Sequence, residues 1–340
     1  MQGPFPLIHH WSSAVAVVGM VAGLAACQGD QTGWSDSSTH EISFVSVAPE
    51  VNLEVLDWGG SGPPLVFLAG LGNTGHAFDD FAPRFLDSFR VVAITRRGFG
   101  ASSHPDSGYD IATLAQDVVS VLDSMELVSV ALAGHSIAAG ELTALGSRHP
   151  ERVRRLVYLD TWCTVPGSDS LNQAMFVDPP DGMPQPVSPA DPETRTVEDY
   201  VSYVHRSRGI PIPEADIRAR YSAEGWDETL GKGYQPVLRE VMAGSLSCAD
   251  VRVPALTLIA YRDDISQEEP WVRADTTGWP AQREFQRLNG ELTRMVLERF
   301  PKLIPSSRAE AVPGGHHWVF ASHPDQVERL MREFLQSRTR

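Results

Sequence analysis

The sequence predicts an α/β protein with a mostly parallel central sheet flanked by helices and interrupted by a helical, proline-rich insertion. Three observations predict it. Short continuous apolar runs alternate with segments whose apolar residues recur at helical spacing, and repeated βα units demand a largely parallel sheet covered on both faces. The alternation stops after residue 160 and resumes near residue 254. Between those points six prolines fall within residues 179–192, and residues 163–250 carry 14 acidic against 7 basic residues, so this insertion holds nearly half of the chain's net charge of −15.

Taken in order, the β-rich runs 42–47 and 51–58, split by Pro49-Glu50, read as an antiparallel hairpin. Residues 64–69 are a continuous apolar strand, Phe78, Phe81, Phe85 and Leu86 mark a short amphipathic helix, and 90–94 is another strand. Thr113 and Gln116 form a capping box ahead of Leu114, Val118, Val121, Leu122 and Met125, which repeat at helical spacing. Strand 128–133, helix 137–149 and strand 154–160 follow, then the insertion, then strand 254–260. A helix with Phe285, Leu288, Leu292, Met295 and Val296 on one face leads to a strand near 309–312. The last helix opens with Pro324 and buries Val327, Leu330, Met331, Phe334 and Leu335. With 42% hydrophobic and 21% charged residues over 340 positions, such a chain buries a sizeable core. Its acidity, without a segregated basic patch, argues against nucleic-acid partners.

Residues 1–29 contain no Asp, Glu, Lys or Arg, and 14–26 form an apolar run too short to span a bilayer but of the length of a signal-peptide core. The run ends in Leu24-Ala25-Ala26-Cys27, which resembles a bacterial lipobox, so residues 1–27 are expected to direct export, with Cys27 as a lipidated N-terminus holding the protein to a membrane. Residues 28–40 have the composition of a flexible tether, and folding is expected to begin near Glu41. Cys163 follows one strand and Cys248 precedes the next, which in a parallel sheet separates them by roughly 20 Å, so free thiols are expected.

The chemistry concentrates at Gly134-His135-Ser136-Ile137-Ala138, a G-x-S-x-[GA] sequence between a buried strand and a helix, where a strained turn exposes the serine hydroxyl. The plainer alternative is a serine that only caps the helix. On this motif and its setting the chain resembles the α/β-hydrolase fold family from about residue 42 to the C-terminus, with a cap at 163–250 between core segments 41–162 and 251–340. The family usually has Gly where Ala138 stands.

The resemblance implies a nucleophile, acid and base in that chain order. Ser136 is the nucleophile and His317, seven residues before Pro324, the base, with the adjacent His316 able to exchange roles with it. The family's G-x-x-D turn maps onto Tyr261-Arg262-Asp263-Asp264, which favours Asp264 as the acid although Tyr261 replaces the glycine; Asp263 and Asp160 are the alternatives. The backbone N–H groups of Ile137 and Leu71 are the implied oxyanion donors. Thr95-Arg96-Arg97-Gly98-Phe99-Gly100 resembles the family's D-x-R-G-F-G turn, with Arg96 and Arg97 read as loop-pinning. Trp162, Met175, Phe176 and Trp226 are candidates for an apolar pocket or for the core of the cap.

A carboxylic-ester hydrolase acting on a small-molecule substrate without a cofactor is therefore expected. The alternatives are a proline-iminopeptidase-type aminopeptidase, perhydrolase or haloperoxidase chemistry on the same triad, and a lipid-anchored ligand-binding module on a hydrolase fold. Epoxide hydrolase and dehalogenase are disfavoured because their nucleophile is Asp where this chain has Ser136. No metal site is expected, since His316 and His317 lack helical zinc spacing and no Cys cluster exists. Gly70, Gly72 and Gly75 match a dinucleotide fingerprint, but they follow the third strand and no acidic ribose ligand comes about 20 residues later.

Overall fold

In the computed structural model the residues described are 34–184, 196–220, 236–239 and 246–337. The apolar runs form eight strands: β1 Glu41–Ala48, β2 Val51–Gly59, β3 Pro64–Leu68, β4 Arg90–Ile94, β5 Val130–His135, β6 Val153–Leu159, β7 Ala255–Tyr261 and β8 Arg308–Pro313. They join in one sheet of order β1-β2-β4-β3-β5-β6-β7-β8. β2 runs antiparallel to both β1 and β4, and the remaining pairs are parallel. The expected fold class is the one observed.

Alternation along the strands explains how helices cover both faces. In β3, Val66 and Leu68 point to one face, with Val130 and Leu132 of β5, beneath α1 Ile111–Ser124, α2 Ala139–Arg148 and the helix Trp279–Leu303. Leu65, Phe67, Ala131 and Ala133 point to the other, where Phe78, Phe81 and Phe85 meet the C-terminal helix Pro324–Leu335. Period-two side chains on strands against apolar stripes on helices thus give one core in two layers. α1 departs in its start: Asp110, not Thr113, is the N-cap, its carboxylate accepting the Thr113 N–H at 2.9 Å and the Thr113 hydroxyl at 2.7 Å. The Asp carboxylate three residues upstream accepts the amide that the expected box left open.

The turn after β4 pins loops, as expected. Arg97 makes two 2.6 Å bonds to Asp117 of α1, and Arg96 donates to Glu141 of α2 at 2.5 Å and to the carbonyl of Ala69 at 3.1 Å. Within the insertion the helices Val197–Arg208 and Glu214–Ala219 pack through Tyr200, Val201, Val204, Ile212 and Ile217. Trp162 and Met175 join the main core rather than a pocket, while Trp226 and the Phe176 side chain lie outside the described residues, as does the leader with Cys27. Residues 34–40 correct the tether reading at its end: the His40 side chain is buried and Arg218 lies over the ring of Trp34 at 4.7 Å. Among the described residues no helix is long and apolar enough to cross a membrane.

The cysteines require a further correction. Cys163 and Cys248 form a disulfide, with Cα atoms 5.0 Å apart. The chain reverses at Asp160, whose φ is +48°, and runs back along the sheet, so that the carbonyl of Thr161 accepts from the hydroxyl of Thr257, the partner of Tyr158. Thr164 then pairs with Ser247, bringing the sulfurs together. The strand-length separation was cancelled by this reversal. The bridge closes an 85-residue separation and spans the insertion. Chain entropy alone makes it worth about 4.5 kcal/mol, so the Cys163→Ala/Cys248→Ala protein is expected to unfold at distinctly lower denaturant, read by urea titration of both proteins.

Candidate active site

Ser136 follows β5 directly, at a φ of +53°. A left-handed backbone is strained for a non-glycine residue by roughly 1 kcal/mol, and the surrounding packing holds it. A Cβ on Gly134 would stand 2.5 Å from Leu142 Cδ1 and 2.9 Å from the Cβ of Ala138, so glycine is required there, while fully buried Ala138 fits against it. The strand-turn-helix geometry lifts the Ser136 hydroxyl above the C-terminal edge of the sheet.

His317 lies in the loop after β8, and its Nε2 is 2.9 Å from Ser136 Oγ. Its Nδ1 is 2.6 Å from Asp160 Oδ2. The other carboxylate oxygen of Asp160 accepts the Ala260 N–H at 2.7 Å, so the acid is anchored between β6 and β7. With Nδ1–H donated to the carboxylate, Nε2 is left as an acceptor for the serine proton. Asp160, weighed as an alternative, is therefore the carboxylate beside His317. Asp264, the favoured one, is not: it caps the turn Ile265–Gln267, accepting the Ser266 N–H at 2.7 Å, and its carboxyl is held below the usual range by that bond while fully exposed. Asp263 and Asp264 line a separate cleft with Arg283 and Arg287. The chain turns away after Tyr261, whose carbonyl accepts the Gly314 N–H, and Arg262 donates to the Gly315 carbonyl.

The two neighbouring histidines have other partners. His135 is fully enclosed and bonds through Nε2 to the carbonyl of His317 at 2.9 Å, fixing the loop that carries His317; burial pushes its pKa well down, so it donates as a neutral ring. Its Nδ1 would be 2.5 Å from a Cβ on Gly70, which explains glycine there. His316, the possible exchange partner of His317, accepts the Trp318 N–H at Nδ1 and places Nε2 2.9 Å from Glu269. Burial lowers its pKa, and the bond from Trp318 puts the proton of the neutral ring on Nε2, facing Glu269.

Sequence reasoning missed Glu269. Arg208, at the end of the helix Val197–Arg208 in the insertion, pairs with it at 3.2 Å and lies over the Trp318 ring at 5.0 Å. Glu269 thus ties the insertion to the loop bearing His317. Burial alone would raise its carboxyl, but His316, Arg208 and Trp271 hold it at about 2. Because that folded value lies below the ordinary 4.5, its stabilisation is complete above about pH 4.5 and is lost as pH falls toward 2. Glu269→Gln is expected to flatten the fall in melting temperature across that window, measured by calorimetry at stepped pH.

Leu71 and Ile137 meet in one apolar cluster with Phe99, Tyr109 and Leu114, closed by Val237 and Leu238 of the insertion. The Leu71 segment turns tightly, the Asn73 N–H donating to the Gly70 carbonyl with Gly72 at φ +76°. Buried Asp216 of the insertion holds the next residues, accepting from Asn73 Nδ2 at 2.7 Å and from the Thr74 N–H at 2.8 Å. Nothing local in the sequence signals this pairing, since its members are 142 and 143 residues apart.

Comparison with known proteins agrees with this architecture. A family model described as the alpha/beta hydrolase fold matches residues 63–208. A Synechocystis sp. protein provisionally named a non-heme chloroperoxidase is 30% identical over 294 residues, covering 82% of this chain and 92% of its own. The 2-(acetamidomethylene)succinate hydrolase of Mesorhizobium japonicum is 24% identical over 311 residues, 88% of this chain and 98% of that one. A crystal structure of E-2-(acetamidomethylene)succinate hydrolase superposes with a TM-score of 0.60 at 20% identity, over 88% of this chain and all of that one. Sheet order, the strained turn at Ser136 and a full-length relative at this identity converge on one assignment: the chain belongs to the α/β-hydrolase fold family.

Proposed function

We propose that the protein is a serine hydrolase that cleaves a carboxylic ester through Ser136, His317 and Asp160. The observation that carries this reading is the continuous hydrogen-bonded line from Ser136 Oγ through the His317 ring to Asp160 Oδ2, at 2.9 and 2.6 Å. In the first half-reaction Ser136 Oγ bonds to the ester carbonyl carbon as its proton passes to His317 Nε2. The N–H groups of Leu71 and Ile137 hold the oxyanion. Collapse expels the alkoxide, which takes the proton from His317. Water, deprotonated by the same nitrogen, then attacks the acyl-serine and releases the acid and the free hydroxyl. Asp160 keeps the imidazole in the required tautomer and offsets its transient charge.

The apolar cluster around Leu71 and Ile137 supports an apolar acyl group, and the acidic insertion does not favour an anionic one. Turnover of neutral p-nitrophenyl esters, with no cleavage of proline p-nitroanilide, is the expected outcome of a substrate panel; the reverse preference would establish the aminopeptidase reading, and saturable ester binding without turnover the binding module. The Synechocystis relative favours a second activity on the same acyl-enzyme: hydrogen peroxide replacing water would give a peracid, read as peroxide-dependent bromination in the presence of a short carboxylic acid. Export with lipidation at Cys27 is retained as part of the proposal, supported by the disulfide, which belongs to an oxidising compartment. Metabolic labelling with an alkyne fatty acid tests it.

A further inference from the structure

On the far side of β2 from α1, four side chains from separate segments converge: Asp36 and His40 ahead of β1, His76 in the turn Gly75–Phe78, and Asp79 just after it. One nitrogen or oxygen from each lies within 4.8 Å of the others. We propose that Asp36, His40, His76 and Asp79 form a binding site for a divalent transition-metal cation of the zinc type, clamping residues 34–40 to the hydrolase core.

The distances suit the ion. His76 Nδ1 is 3.1 Å from Asp79 Oδ2 and 3.5 Å from Asp36 Oδ2, and Asp36 Oδ2 is 3.6 Å from His40 Nε2. A tetrahedron with metal bonds of 2.0–2.1 Å has edges of about 3.3 Å, so rotations of the side chains by well under a bond length close these three. Two imidazoles and two carboxylates are a donor set that borderline cations such as Zn²⁺ prefer over the all-oxygen sets of calcium.

Two independent observations point to a ligand. Asp79 is more than nine-tenths buried, and its Oδ1 has no hydrogen-bond partner, although it faces His40 Nδ1 at 3.4 Å. A buried carboxylate oxygen without a well-placed donor is costly, and a cation held by the Asp79 carboxylate would offset that cost. The outer shell is also that of a metal-bound histidine. His76 Nε2, the nitrogen turned away from Asp36 and Asp79, faces Glu54 Oε1 at 3.8 Å, and Glu54 is itself held by the Thr95 hydroxyl at 2.7 Å. A carboxylate behind a ligating imidazole fixes ring orientation and raises the basicity of the other nitrogen. His40 is braced in the same manner by Ser38 Oγ at 2.7 Å and by the ring of Trp58.

Charge agrees. Asp36, Glu54 and Asp79 crowd three carboxylates around two imidazoles, and among the described residues no Lys or Arg pairs with any of them. A dication neutralises this excess directly. Asp36 and Asp79 also line a cleft of about 890 Å³ between residues 34–39 and the cap, which gives the ion a path from solvent. The site is separate from Ser136 and His317, and the inference is independent of the ester reading. Its structural effect follows from the cover it ties down, since Trp34 lies under Arg218 of the cap helix.

The test uses the full chain, stripped with a chelator and returned to metal-free buffer. Zn²⁺ alone is added, excess is removed by gel filtration, and the retained metal is counted by elemental analysis beside a melting curve. One equivalent per chain is expected after gel filtration, and a melting curve recorded before it, with free Zn²⁺ at a hundredfold excess over the dissociation constant, is expected to rise by about 5 °C. Co²⁺ in its place is expected to give the intense visible bands of a tetrahedral site. His76→Gln and Asp79→Asn are expected to lose the metal and the shift, whereas Ser136→Ala keeps both. Should either variant misfold, Asp36→Asn, at the most exposed of the four ligands, and His40→Gln carry the same expectation of weaker retention. Wild type that retains no zinc, or any of these four ligand variants that retains it as wild type does, overturns the proposal.

Discussion

Ser136→Ala is expected to lower ester turnover by at least about 10⁴-fold while leaving the melting temperature within a degree or two of wild type. The size follows from what is removed: without Oγ there is no covalent intermediate, and only the oxyanion donors and binding remain. The fold survives because the strain at this position is in the backbone. Alanine at a φ of +53° is no worse than serine, and among the described residues Ser136 Oγ bonds only to the half-exposed His317. Steady-state kinetics beside a thermal melt separates the two effects. Turnover near the wild-type rate in a folded variant would falsify the nucleophile assignment.

The second large effect distinguishes the two carboxylates. Asp160→Asn is expected to lower kcat by about 10⁴-fold with little change in KM. The amide cannot choose its orientation freely. One oxygen at residue 160 must keep accepting the Ala260 N–H, which turns the NH₂ toward His317 Nδ1. Two donors then face each other, so the imidazole protonates at Nε2 instead and can no longer take the serine proton. Asp264→Asn, by contrast, keeps an oxygen for the Ser266 N–H on an exposed turn and is expected to change kcat less than twofold. Measuring both variants on one ester decides the matter: a large loss at Asp264 with none at Asp160 would return the acid to the position the G-x-x-D register favoured.

That misplacement shows where the sequence is informative. The strands, the helices and the mostly parallel sheet between two helical layers were legible because they follow from periodicity: Val66 and Leu68 against Leu65 and Phe67 sort themselves by alternation, and the stripe from Val327 to Leu335 can only face a core. Ser136 was legible because the chemistry needs small neighbours at fixed offsets, and Gly134 and Ala138 supply them. His317 was legible from its place before the last helix. The carboxylate that faces His317 was not, since both candidates stand just past the ends of neighbouring strands, and only the direction of the following loop chooses between them. Tyr261 in place of the turn glycine was the available signal that the loop after β7 goes elsewhere, and the ring of Tyr261 packs instead against Gly290.

The remaining misses share a cause. The disulfide, Asp216 on Asn73 and Thr74, Glu269 on His316, and the Asp36, His40, His76 and Asp79 cluster all join residues distant along the chain. None leaves a periodic trace. The reversal at Asp160 illustrates the difficulty, because one residue in a left-handed conformation both carries Cys163 back along the sheet and turns the Asp160 carboxylate toward His317.

The most direct test of the central claim needs no knowledge of the substrate. Purified protein is treated with a fluorophosphonate and its intact mass measured beside Ser136→Ala and Asp160→Asn. One adduct on wild type, none on Ser136→Ala and labelling slowed by orders of magnitude on Asp160→Asn is the result this account predicts. A folded wild type that stays unmodified and also hydrolyses no ester, or one whose label persists in Ser136→Ala, would contradict it.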